Sequence, residues 1–225
     1  MAHATTARHD RQMGLRYSFE AITSADAVTP LLEALARQLE DRNAARVREQ
    51  LPWRPAVERQ LVWGSGRPER ERQGIGGIRL ADHERPNDLC LSFRFAAADA
   101  ELERYAIEAP APRSGADVVV GCVSTQLFVG EDFALLTAAA VTSDMSRLFA
   151  ASTRVREAWA QLGRESGALA VFLDTELDDA LSCVWPEPGP VPRVSIDGYC
   201  SGDFESLRVD PYCFEKLRLA RLLDR

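Results

Sequence analysis

The amino-acid sequence predicts an α+β fold, with a mixed but largely antiparallel sheet of about six to eight strands and helices packed on it. Strand-like and helix-like segments alternate only in part, and short hairpin connections are frequent. The clearest strand-like segments alternate apolar and polar residues, which is typical of antiparallel strands with one face on the core. Together these features favour this fold class over a doubly wound parallel sheet.

The stretch around which the remaining segments are organised begins with a predicted strand at residues 117–129. This segment is rich in β-branched and aromatic residues, which suit a packed, pleated surface. Gly130 opens a short turn of the kind that hairpins use, and residues 133–141 follow as the partner strand. Two short apolar runs, at residues 168–173 and 181–185, are interpreted as further buried strands.

A long amphipathic helix is predicted between these strand pairs, at residues 144–162, because apolar side chains recur there at a helical period. Gly163 and Gly167 are alternative stop signals for it. An apolar stripe of this kind usually faces a core, so we expect the helix to pack on the sheet. The side chains expected at that contact are Leu148, Val155 and Trp159.

The remaining segments complete one domain. Residues 1–14 have no apolar period and are expected to form a disordered N-terminal extension, and residues 15–225 are expected to form a single α+β domain. The elements predicted in that domain include a strand at 15–22 with one face in water, a helix starting at Thr29-Pro30, a strand at 89–95, a short helix at 96–107 and a last helix from Pro211.

Composition limits the class of protein. The 225 residues are 46% hydrophobic and 27% charged, as expected of a soluble globular chain, and no apolar run is long enough to span a bilayer. The formal net charge of −7, without a block of basic residues, argues against a nucleic-acid partner. Five cysteines without a close pair and without an apolar leader predict free thiols and a cytoplasmic location.

The sequence contains no complete catalytic motif. Residues 198–202, Gly-Tyr-Cys-Ser-Gly, resemble over this short span the cysteine form of the nucleophile elbow in dienelactone-hydrolase-type α/β-hydrolases. That family has a histidine downstream of the nucleophile, and no histidine follows Cys200. His83 could meet Cys122 or Cys200 in space to form a dyad or triad, which sequence spacing does not decide, so no catalytic residue is assigned.

Four carboxylates crowd one connection between two predicted strands: Asp174, Glu176, Asp178 and Asp179. Such a group can be a solvated loop, a Mg²⁺ or Ca²⁺ site, or a negatively charged docking surface. The calcium-loop motif is incomplete because no glycine follows Asp178. We therefore predict that the four acids bind a partner and that the protein has no metal or other cofactor.

These observations predict a small acidic cytosolic protein that acts by binding. By analogy of size and charge, we expect an intracellular inhibitor or immunity-type protein that neutralises a basic protein partner, such as a toxin domain. A homo-oligomer is compatible with the sequence, whereas membrane and nucleic-acid partners are not expected. The alternative is an enzyme with a dispersed site, built either on carboxylates and a metal or on a hydrolytic cysteine.

Overall fold

Strand pairing builds a sheet around the long strand β5 (Asp117–Val129), in a computed structural model that describes residues 15–52, 76–79, 91–96, 99–129, 133–175 and 180–192. Within these ranges the chain forms nine strands and five α-helices, and every strand pairing is antiparallel. The predicted α+β fold class is therefore confirmed. Residues 1–14 and the helix predicted from Pro211 lie outside the described residues.

The other strands are β1 (Ser18–Ser24), β2 (Gly76–Arg79), β3 (Leu91–Phe95), β4 (Arg113–Ser114), β6 (Phe133–Ala139), β7 (Ala170–Asp174), β8 (Ala180–Trp185) and β9 (Gly189–Pro192). Their order across the sheet is β2-β5-β6-β1-β7-β8-β9, and β3 and β4 also pair with β5. The first strand of the described residues therefore lies in the middle of the sheet, between β6 and β7.

The helices are α1 (Val28–Arg37), α2 (Asp41–Arg48), α3 (Ala100–Glu108), α4 (Ser143–Ala151) and α5 (Thr153–Ser166). Their apolar side chains share one core with the sheet face that carries Phe19. Trp159 stacks on Phe19 at 5.0 Å between ring centroids and lies 5.6 Å from Phe93. The predicted contact of Leu148, Val155 and Trp159 with the core is confirmed, since all three side chains are buried.

The prediction of one continuous helix over residues 144–162 is wrong, because the chain breaks at Ser152. Ser152 is extended, with φ −73° and ψ 120°, and its Oγ accepts a hydrogen bond from Val155 N as the N-cap of α5. The same Oγ donates to Asp99 Oδ2 at 2.8 Å, while Asp99 Oδ1 accepts from Leu102 N at the start of α3. One carboxylate therefore ties α3 to the junction between α4 and α5, and this contact holds the break in place.

The two glycines at the end of α5 have different roles. Gly167, with φ +67°, is the left-handed residue that ends the helix, so one of the two predicted stop signals is confirmed. Gly163 lies inside the helix, where a Cβ would be 2.8 Å from Val171 Cγ2 and from Trp185 Cδ1. The absence of a side chain at this position therefore allows the helix to lie directly against β7 and β8.

The face of the sheet opposite the helices is buried as well. Its side chains include Ile22, Phe133, Leu135, Phe172 and Leu181, which are not part of the core that the five described helices share. The prediction that β1 has one face in water is wrong for residues 18–23, because Ser18, Glu20 and Ile22 are buried on this second face. A strand in the middle of a sheet that is covered on both faces buries both sets of its side chains.

No helix in the described part of the chain combines the length and the apolar character that crossing a membrane requires.

Candidate binding surface at one end of the sheet

The strand register brings several separate parts of the chain to one end of the sheet, here called the β6–β7 end. Ser124, Ala139, Ser18 and Asp174 lie in one row across β5, β6, β1 and β7. Pairing continues one residue further, where Ala140 N donates to Tyr17 O at 2.9 Å. The last residues of β6 and β7 and the first residue of β1 therefore share this end.

The predicted acidic site follows directly from this end. β7 and β8 are antiparallel neighbours, with Leu173 opposite Ser182, so residues 175–179 connect two paired strands. Asp174, the last residue of β7, is only 1% exposed, and its carboxylate is therefore not available at the surface for a partner. Glu176, Asp178 and Asp179 lie outside the described residues, and their part in binding stays a prediction.

A second buried carboxylate, Glu20, lies on the same sheet face as Asp174. Glu20 is 0% exposed, and Ser18 Oγ donates a hydrogen bond to its Oε1 at 3.2 Å. Ser18 is directly opposite Asp174, so the two carboxylates are diagonal neighbours on adjacent strands. Burying a carboxylate costs several kcal/mol unless partner groups compensate it, so two carboxylates are an unusual feature of an otherwise largely apolar face.

Sequence reasoning missed Glu20 because the alternation in its strand suggested a solvated polar face. The only sequence signal was its neighbour Ile22, an apolar residue at the same parity as Glu20. Such a residue indicates that the face it shares with Glu20 is covered.

An open hollow of about 520 Å³ lies at the β6–β7 end, beside the start of α4. Its wall includes the hydroxyl-bearing residues Ser124, Thr142 and Ser143 together with Arg16. Thr142 Oγ1 is already used, because it accepts from Met145 N as the cap of α4. Val141, which also lines the hollow, is 49% exposed, so this end offers an apolar contact next to polar groups.

Cys122 is the described residue with the most unusual backbone near this end. Its φ of +59° is in the left-handed region, and it lies where the pairing of β5 with β3 shifts between Phe93–Val120 and Leu91–Val123. This irregularity is a β-bulge, which turns the thiol towards solvent. A reactive thiol needs a neighbour that stabilises the thiolate, such as a histidine or an arginine.

A titratable neighbour of Cys122 is the half-buried phenol of Tyr105. Burial raises the pKa of Tyr105, and the nearby Asp144 carboxylate and Cys122 raise it further. His83 and Cys200, the other members of the predicted dyad or triad, lie outside the described residues, so the geometry of that site stays untested.

Cys183 is the second free thiol in the described residues, and it is a core residue. Its Sγ donates to Trp185 O at 3.1 Å, and burial raises the pKa of the thiol. A thiol that is both buried and kept protonated is poorly suited to nucleophilic chemistry.

Six partly or fully exposed carboxylates on the helical side of the molecule are paired with arginines. The pairs are Arg37–Glu165, Arg94–Asp41, Arg104–Glu101, Arg113–Glu103, Arg147–Asp144 and Arg154–Glu157. This surface therefore has mixed charge. Residues 174–179, by contrast, contain four acids and no basic residue.

No group of three or more histidine, cysteine, aspartate or glutamate side chains within the described ranges is arranged to hold a metal ion. The chain matches no family model, no curated protein and no solved structure.

Proposed function

We propose that the protein acts by binding a basic protein partner, as an inhibitor or immunity-type protein that neutralises, for example, a toxin domain. The observation that carries the proposal is the acid-rich connection of residues 175–179, which joins the antiparallel neighbours β7 and β8. Paired strands on both sides fix where this connection starts and ends. A rigid support is what a docking surface needs, because ordering a flexible segment on binding costs free energy.

Charge is the second support for the proposal. Six partly or fully exposed acids on the helical side are paired with arginines, whereas residues 174–179 concentrate four acids and no basic residue within a chain of net charge −7. Such a patch attracts a positive surface and raises the rate of encounter, and salt reduces the gain by screening.

Within this proposal only three of the four acids contact the partner. Glu176, Asp178 and Asp179 contact the partner, whereas the buried Asp174 carries no contact of its own. Val141 and the hollow beside α4, at the same end of the sheet, would add an apolar contact to the charged one.

The experiment begins with co-purification from the native host, which identifies the partner, and continues with binding kinetics at low and high salt. The test variant combines Glu176→Gln, Asp178→Asn and Asp179→Asn. We expect it to associate more slowly at low salt, by on the order of tenfold, and to show a weaker salt dependence.

A matched control removes the same number of charges where each acid already has an arginine partner: Glu101→Gln, Glu103→Gln and Glu157→Gln. This control should change the association rate far less. An unchanged association rate in the test variant at low salt would rule out the acidic connection as the docking surface. Loss of binding only after chelation of divalent ions would instead support the carboxylate–metal alternative.

A further inference from the structure

We draw no further inference here: the strongest candidate, the buried sheet face on which Glu20 and Asp174 lie among apolar side chains, carries none because nothing in the described part of the chain shows what covers it.

Discussion

Replacing Gly163 by alanine should destabilise the protein, although the same change in an exposed helix would stabilise it. Alanine is favoured over glycine in a helix interior by about 1 kcal/mol. At this position, however, the new methyl group would lie 2.8 Å from Val171 Cγ2 and 2.8 Å from Trp185 Cδ1. Ordinary carbon–carbon contacts are at about 3.5–4.0 Å, so both neighbours would have to move by more than half an ångström.

Moving either neighbouring side chain would cost free energy. Val171 is fully buried in β7, and the Trp185 indole is held by a hydrogen bond from its Nε1 to Ala168 O at 3.2 Å. The Arg164 guanidinium also lies over the same ring, at 5.3 Å from its centroid. Inserting a methyl group into such packing costs about 1–3 kcal/mol, and two constrained contacts favour the upper part of that range. After the gain in helix propensity, we expect a net loss of about 2 kcal/mol.

The measurement is urea unfolding followed by circular dichroism. The dependence of the free energy of unfolding on urea concentration should be the same for parent and variant. The expected loss corresponds to a fall of about 4–8 °C in Tm for a chain of this size. Gly167→Ala is the control. Apart from Gly167 itself and its two chain neighbours, no atom of the described residues lies within 4 Å of the position that its new methyl group would take, so its expected cost of about 1 kcal/mol arises from the positive φ alone. The double variant Gly163→Ala with Val171→Ala should lose less than the sum of the two single changes.

A Gly163→Ala variant as stable as the parent, or more stable, would refute the close contact between α5 and the sheet.

Further predictions concern the core, a helix cap and the thiols. Trp159→Ala should cost about 3–5 kcal/mol, because it removes a buried ring stacked on Phe19, and an unchanged thermal melt would show that Trp159 is not a core residue. Asp99→Asn should cost about 1–2 kcal/mol near neutral pH, because an amide nitrogen in place of Oδ2 can no longer accept hydrogen bonds from Ser152 Oγ and Arg154 N, whereas Oδ1 can still cap α3. Burial opposes ionisation of Asp99, but the hydrogen bonds from Arg154 N, Leu102 N and Ser152 outweigh it and lower its pKa from 3.8. The ionised form therefore stabilises the fold above pH 3.8 and ceases to do so as pH falls through the lower pKa of the native state. The difference between parent and variant in the free energy of unfolding, measured with urea, should therefore narrow only below pH 3.8. Thiol titration of denatured, unreduced protein should find all five cysteines, and recovery of only one or three would indicate disulfides.

The fold class was accessible from sequence because its signals are local. The β-branched run in β5 and the glycine turn after it predicted the central hairpin, and β5 spans the predicted residues, Asp117–Val129. The buried stripe of Leu148, Val155 and Trp159 was also predicted correctly, since helical periodicity does not depend on what covers the helix.

The errors arose where a distant residue decides the local structure. Ser152 fits the period of the apolar stripe, and its role as a helix break depends on Asp99, more than fifty residues earlier in the chain. Its sequence signal is a serine three residues before Val155, which is weak without that partner. Gly163 was a reasonable stop signal, but the need for a glycine there comes from Trp185 and Val171.

The candidate surface was predictable only in part. The cluster of acids at residues 174–179 is visible in the sequence, whereas the burial of Asp174 depends on the position of β7 next to the central strand β1. The proximity of Arg16, Ser124 and Val141 around one hollow depends on strand register, because the pairing of β1 with β6 connects residues more than a hundred positions apart. Register depends on which strands pair, and a single sequence does not show which strands pair when they are this far apart in the chain.

The sequence of strand β9 affects whether another chain can add a strand to this sheet. Among the residues that the structure describes, β9 is the last strand at one edge of the sheet. It pairs with β8 through four residues, and two of them, Pro190 and Pro192, have no backbone N–H. An unprotected edge strand is a template on which another chain can add a strand, and repeated addition leads to aggregates and fibrils. An incoming strand would find few donors on β9. Substituting Pro190 and Pro192 with threonine should therefore leave the fold intact but make the protein more prone to aggregate when concentrated.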